Sequence, residues 1–92
     1  MSYEIEITLE AEKDLERHKK SGNKKILLKI DKLFDELRIN PQTGTGKPEK
    51  LKHYVKPTWS RRINSKHRLI YRIEEDCVVV LVLAAWGHYD DH

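Results

Sequence analysis

Ten consecutive residues, 77–86, read CVVVLVLAAW and carry no charge. This run limits the possible folds more than any other stretch. It is too short to cross a membrane as a helix, which takes about 20 apolar residues. Read as a strand it is apolar on both sides, so both of its faces need cover. The rest of the chain must therefore supply a sheet for it to join and helices to pack upon it. A short turn at Glu75-Asp76 leads into it. Cys77 is the only cysteine, which rules out an intrachain disulfide and suits a reducing cytosol. It reads as a small buried apolar residue rather than a nucleophile.

The cover comes from the N-terminal half. KKILLKIDKLFDELR places Ile26, Ile30, Leu33 and Leu37 on one helical face, with Leu27 and Phe34 beside them. Pro41 ends that helix. A first helix, EAEKDLERHKK, has a thinner stripe of Ala11, Leu15 and His18, the last on the helix surface or its packing face. SGN at 21–23 breaks the two apart, and either Ser21 or Asn23 can cap the second. YEIEITL alternates, with Tyr3, Ile5, Ile7 and Leu9 on one side, and predicts a half-buried strand. INPQTGTGKPEK reads as a loop. WSRRIN alternates Trp59, Arg61, Ile63 against Ser60, Arg62, Asn64, and HRLIYRIE alternates Leu69, Tyr71, Ile73 against Arg68, Ile70, Arg72.

The order β-α-α, loop, three-stranded antiparallel meander predicts an α+β fold in two layers. The N-terminal strand joins a small, twisted, mainly antiparallel sheet, and two helices cover one face. At 92 residues the chain suits one domain over 1–92, with 90–92 a short tail. The acidic start MSYEIEITLE is unlike a signal peptide. A soluble, cytoplasmic protein without a membrane partner is expected.

Charge is unevenly spread. Residues 47–72 hold nine basic side chains and one acid, Glu49, a net +8. The remaining residues hold nine basic and fourteen acidic, a net −5. Such a block is either a solvated face or a surface for a polyanion or an acidic protein partner. If the Leu69/Tyr71/Ile73 face is core, then Arg62, Arg68 and Arg72 make the other face cationic, a platform for RNA.

Metal-independent RNA cleavage needs a base for the 2′-OH, a cation for the phosphorane and an acid for the departing 5′ oxygen. The available parts are Glu49, Arg68 or Arg62, and His88 or His53. The plainer reading of Glu49 is a surface carboxylate paired with nearby lysines. In GHYDDH, His88, Asp90, Asp91 and His92 are ligand types, but no helix is expected to gather them. No metal or cofactor is assigned. Tyr89 could stack on a base or cover the core edge. Trp59 and Trp86 read as packing, and His67 has no assigned role. GTGK lacks the rest of a phosphate-binding P-loop.

GTGKPEKLKH, WSRRINSKHRLIYRI and the late HY, in that order and spacing, resemble the YoeB/Txe branch of the RelE-like bacterial toxins. The likeness runs from about Lys24 to Tyr89. It implies a RelE-like fold and the toxin of a type II toxin–antitoxin pair. It further implies a ribosome-dependent endoribonuclease that cuts mRNA in the A site, against ribosomal RNA, and leaves a 2′,3′-cyclic phosphate. By position Glu49 matches the general base, Arg68 the transition-state arginine, His88 the general acid and Tyr89 the tyrosine beside it. Lys52 and Arg62 match phosphate-contacting positions, and Lys47, His53, Arg61 and Arg72 complete the expected RNA-binding set. The implied partner is a YefM/Phd-like antitoxin with an acidic C-terminal segment, and a homodimer is compatible with the family. Departures are Lys50 where proline is common, YVKPT in place of a glycine-containing turn, and the Asp90–His92 tail. The competing expectation is a non-catalytic RNA- or antitoxin-binding module that acts in a transcriptional autoregulation complex. A ribosome-independent RNase is a third.

Overall fold

The computed structural model describes residues 2–87. β1 (Glu4–Ile7) leads into α1 (Leu9–Ser21) and α2 (Lys24–Ile39). Then follow β2 (Glu49–Lys50), β3 (Thr58–Arg62), β4 (Arg68–Glu74), a 3₁₀ turn (Glu75–Cys77) and β5 (Val79–Ala84). The sheet order is β1-β5-β4-β3-β2, with β1 parallel to β5 and every other pair antiparallel. The expected meander is β3-β4-β5. The segment read wholly as loop contributes a further edge strand, β2.

The helix boundaries follow from local chemistry. Thr8 caps α1 by accepting the Ala11 N–H, and Glu10 and Glu12 sit favourably in the first turn. Gly22 ends α1 in the left-handed region at φ 72. Of the two candidate caps for α2, Asn23 is the one used, accepting from Ile26 N–H, whereas the Ser21 hydroxyl donates back to the His18 carbonyl. The cap at Thr8 also corrects the reading of the first strand. Tyr3 and Ile5 pack on the core, but β1 stops at Ile7 and Leu9 opens the helix, so both Ile7 and Leu9 are exposed.

The main core lies between the helices and the sheet. Ile26, Ile30, Leu33 and Leu37 of α2 and Ala11 of α1 meet Leu69, Tyr71, Ile73, Val80 and Val82. Burying each such aliphatic side chain contributes about 1.5–3 kcal/mol. The apolar run is covered on its second face as well. The pairing of Ile70 with Ala84 but Tyr71 with Val82 makes Leu83 an extra residue in β5. That bulge turns Ala84 to the far side, where Leu51 and Ile70 bury it. Cys77, expected to be buried, is exposed. It belongs to the 3₁₀ turn, which closes with Val78 at φ 53 before the strand begins.

Candidate functional site on the open sheet face

Strand register decides which side chains meet on the face away from the helices. Glu49 pairs with Ser60, Ser60 with Ile70, and Arg62 with Arg68. Directly opposed residues of antiparallel strands share a face, so Glu49, Ser60, Arg62 and Arg68 gather on one. The Arg68 guanidinium Nη1 stands 3.7 Å from Glu49 Oε2 and donates to Ser60 Oγ at 3.3 Å. Glu49 is mostly exposed while Arg68 is largely sunk in the sheet, with side-chain exposures of 63% and 18%. An accessible carboxylate therefore faces a fixed cation. The first can take a proton from a substrate, and the second can hold a phosphate oxygen.

The short strand bearing Glu49 is held from both ends. Gly46 accepts the Arg62 N–H at 2.7 Å. Its own φ is +84, and a β-carbon there would lie 2.7 Å from the Arg62 carbonyl oxygen. Leu51 N–H donates to the Thr58 carbonyl, and the Leu51 side chain plugs the apolar patch beside Ile70. Lys47 (φ 51) and His53 (φ 67) flank β2 in left-handed backbone, a conformation that costs a non-glycine residue about 1–2 kcal/mol. Gly46→Ala is expected to destabilise the protein by more than about 1 kcal/mol through both the positive φ and the collision. A denaturant titration measures this, and an unchanged midpoint would contradict the close approach.

The expected RNA-binding residues divide into groups. Arg62 stands beside Arg68. Lys47, Lys52 and His53 are exposed on the segments flanking β2. Arg72 lies four residues farther along β4, roughly 13 Å away at strand rise, and is paired with Glu74 at 2.9 Å. Arg61 must be removed from the set. It is fully buried on the helix side. Its Nη1 meets Glu36 at 2.9 Å, Nη2 donates to the carbonyls of Asn40 and Thr43, and Nε donates to the Tyr71 hydroxyl. Alternation had placed Arg61 with Trp59 and Ile63, and a guanidinium on that face must find partners inside the fold. Here it ties the 40–45 loop to the sheet and so positions the segment that leads to Glu49.

Glu36 completes that tie. Burial alone would raise its carboxyl pKa. The Thr45 hydroxyl and N–H, with the Arg61 charge, outweigh burial and hold it below the usual carboxylate range. Ser60, which sequence reasoning gave no role, is fully buried and orients Arg68. The only signal for it was its place two residues before Arg62 in the alternation. His88 and Tyr89 lie outside the described residues, as do the ligand-type side chains of 90–92. Among the described residues no cluster of three or more His, Cys, Asp or Glu could hold a metal, and no helix is long and apolar enough to cross a membrane.

A family model described as the YoeB-like toxin of bacterial type II toxin–antitoxin systems matches residues 7–89. This chain belongs to the YoeB-like toxin family. Toxin YoeB of Escherichia coli K12 is 43% identical over 67 residues, which cover 73% of this chain and 77% of that protein. The structure of a YoeB/ParE toxin from Agrobacterium tumefaciens superposes with a TM-score of 0.85 at 31% identity, covering 94% of this chain and 99% of that one. YoeB of Staphylococcus aureus, solved in complex with YefM, is 33% identical with a TM-score of 0.77 and coverages of 95% and 98%. In this chain the Glu49 carboxylate stands exposed on the edge strand, with Arg68 largely sunk beside it.

Proposed function

We propose that this YoeB-like toxin is a ribosome-dependent endoribonuclease that cuts mRNA in the A site. The observation that carries the reading is the exposed Glu49 carboxylate facing the anchored Arg68 guanidinium on a face rimmed by Arg62, Lys47, Lys52 and His53. In the proposed step Glu49 takes the 2′-OH proton as the 2′ oxygen bonds to phosphorus. Arg68 holds the charge that builds on the non-bridging oxygens. The P–O5′ bond then breaks and His88 donates a proton to the leaving oxygen. The products are a 2′,3′-cyclic phosphate and a 5′-hydroxyl. Tyr89 positions the substrate beside His88. Lys47, Lys52, His53, Arg62 and the more distant Arg72 meet phosphates of mRNA and ribosomal RNA.

The same basic face suits an acidic C-terminal segment of a YefM/Phd-like antitoxin, and the YefM complex of the Staphylococcus relative supports that partner. We further propose that residues 1–92 act as one cytoplasmic domain, able to form a homodimer.

Primer extension on mRNA alone and on programmed ribosomes with a filled P site tests the reading. The expected result is a cut within the A-site codon that needs ribosomes and resists EDTA. Glu49→Gln and His88→Ala should each lower it by about 10²–10⁴-fold. Bound RNA or antitoxin peptide with no cut in either condition would replace the enzyme by a non-catalytic binding module.

A further inference from the structure

Past the end of β5 the backbone polar groups of Ala85 and Gly87 are held by three side chains and by one backbone N–H of β4. The Ala85 N–H donates to Asp14 Oδ2 at 3.0 Å, and His18 Nε2 donates to the Ala85 carbonyl at 2.7 Å. The Gly87 N–H donates to His67 Nδ1 at 2.9 Å, and the Gly87 carbonyl accepts from the Arg68 N–H at 2.9 Å. Between them the Trp86 ring is partly buried. The Arg17 guanidinium lies 3.8 Å from its centroid, and the rings of His67 and His18 lie at 4.3 and 4.6 Å. Asp14, Arg17 and His18 fall at i, i+3 and i+4, one face of α1. His67 is set in the β3–β4 turn, where Asn64 Oδ1 accepts from the Lys66 and His67 N–H groups.

These bonds fix proton positions. A carbonyl only accepts, so His18 carries its proton on Nε2. An amide N–H only donates, so His67 Nδ1 is unprotonated and its proton sits on Nε2. Both rings are buried. Two neighbouring residues, His67 and Arg68, thus hold the two sides of Gly87. Arg68 is also the residue whose side chain faces Glu49. Gly87 is thus tied through the Arg68 backbone to the strand that carries the Glu49–Arg68 site.

We propose that His67 is a positioning residue: by accepting the Gly87 N–H it fixes Gly87, the residue before His88 in the chain, relative to Arg68, while Asp14, Arg17 and His18 grip the two residues before. The catalytic part of this inference rests on the ribonuclease reading above, whereas the clamp itself does not. Burial first, then the nearby His18, Lys66 and Arg17, lower the His67 pKa, and Asp14 opposes them. His67 therefore stays a neutral acceptor at neutral pH. Protonation would turn Nδ1 into a donor aimed at another donor. The bond is complete above the ordinary histidine range and lost as pH falls through the lowered value.

Three proteins decide the matter: wild type, His67→Asn, whose amide oxygen accepts without titrating, and His67→Leu. The readouts are amide exchange of Gly87 by NMR across acid pH, and kcat and KM for cleavage on programmed ribosomes. His67→Leu should lose Gly87 protection. A misplaced catalytic group should lower its kcat about 10–100-fold, with KM within about 2-fold. His67→Asn should keep the protection, keep most of kcat and abolish the acid-side loss of protection seen in wild type. Unchanged Gly87 protection in His67→Leu overturns the clamp, as does a His67→Asn variant no better than His67→Leu. If the wild type cuts nothing, the enzymatic reading fails, and the Gly87 amide still decides the clamp.

Discussion

Arg68→Ala is expected to lower cleavage on programmed ribosomes by about 10²–10³-fold, the usual loss when one preorganised donor to a developing oxyanion is removed. The guanidinium is held by Ser60 and faces Glu49, which in the proposed step puts it beside the phosphate oxygens. Little reorganisation is then needed as charge builds. The fold should barely notice the change. The core contacts of β4 come from Leu69, Tyr71 and Ile73 on the other face and from Ile70 on the near one, none of them altered by the substitution, and the Arg68 N–H bond to Gly87 is backbone. Arg68→Lys should recover only part of the rate, because an ammonium cannot keep Ser60 and bind a phosphate with the same fork. Single-turnover cleavage beside thermal unfolding tests this. A wild-type rate in Arg68→Ala would remove the arginine from the mechanism.

The adjacent arginines of WSRR should respond in opposite ways. Arg61→Leu is expected to destabilise the protein by about 3–5 kcal/mol, the cost of leaving a buried ion-pair partner uncompensated. For a chain of this size that is a fall in Tm of about 10 °C or more. Glu36 would keep Thr45 but lose its cation, and the carbonyls of Asn40 and Thr43 would lose their donors. Arg62→Leu is exposed and should change stability by no more than about 0.5 kcal/mol, while weakening RNA cleavage. Chemical denaturation of both variants gives the comparison. Equal stability losses would contradict the buried role of Arg61.

The Arg61–Glu36 tie also sets an acid limit. The folded-state pKa of Glu36 lies below its unfolded value. Its contribution is therefore complete above the ordinary carboxylate range and lost as pH falls through the folded value. Glu36→Gln should flatten that part of the acid unfolding profile. A profile identical to that of the wild type would show that the tie does not set the limit.

Much of this was legible in the residues. The period of two in 59–64 and 67–74 assigned faces correctly, because side chains alternate along any strand whatever its neighbours. It put Arg62 with Arg68, and Arg61 with Trp59 and Ile63, although Arg61 still stands among the expected RNA-binding residues. The period of 3.6 in 24–39 gave α2 and the stripe it buries. Charge identified Glu49 as the exceptional acid in a basic block.

Other features needed the third dimension. Alternation could assign Arg61 to the core face but not name Glu36, a helix residue 25 positions earlier, as its partner. Nor could spacing show that an edge strand of two residues would bring Glu49 within 3.7 Å of Arg68, since cross-strand register depends on how loops close. Cys77 looked apolar by its neighbours, yet the 3₁₀ turn leaves it in solvent. His18 and His67, 49 residues apart in the chain, meet edge-on at 4.9 Å, each also against Trp86. The sequence by itself determined the helices, the longer strands, the faces of α2, β3 and β4, and the kinds of chemistry on offer, because those are set by local periodicity and residue type. Tertiary structure alone decided which groups meet, because contacts between distant segments are fixed by strand register, a bulge and a buried ion pair.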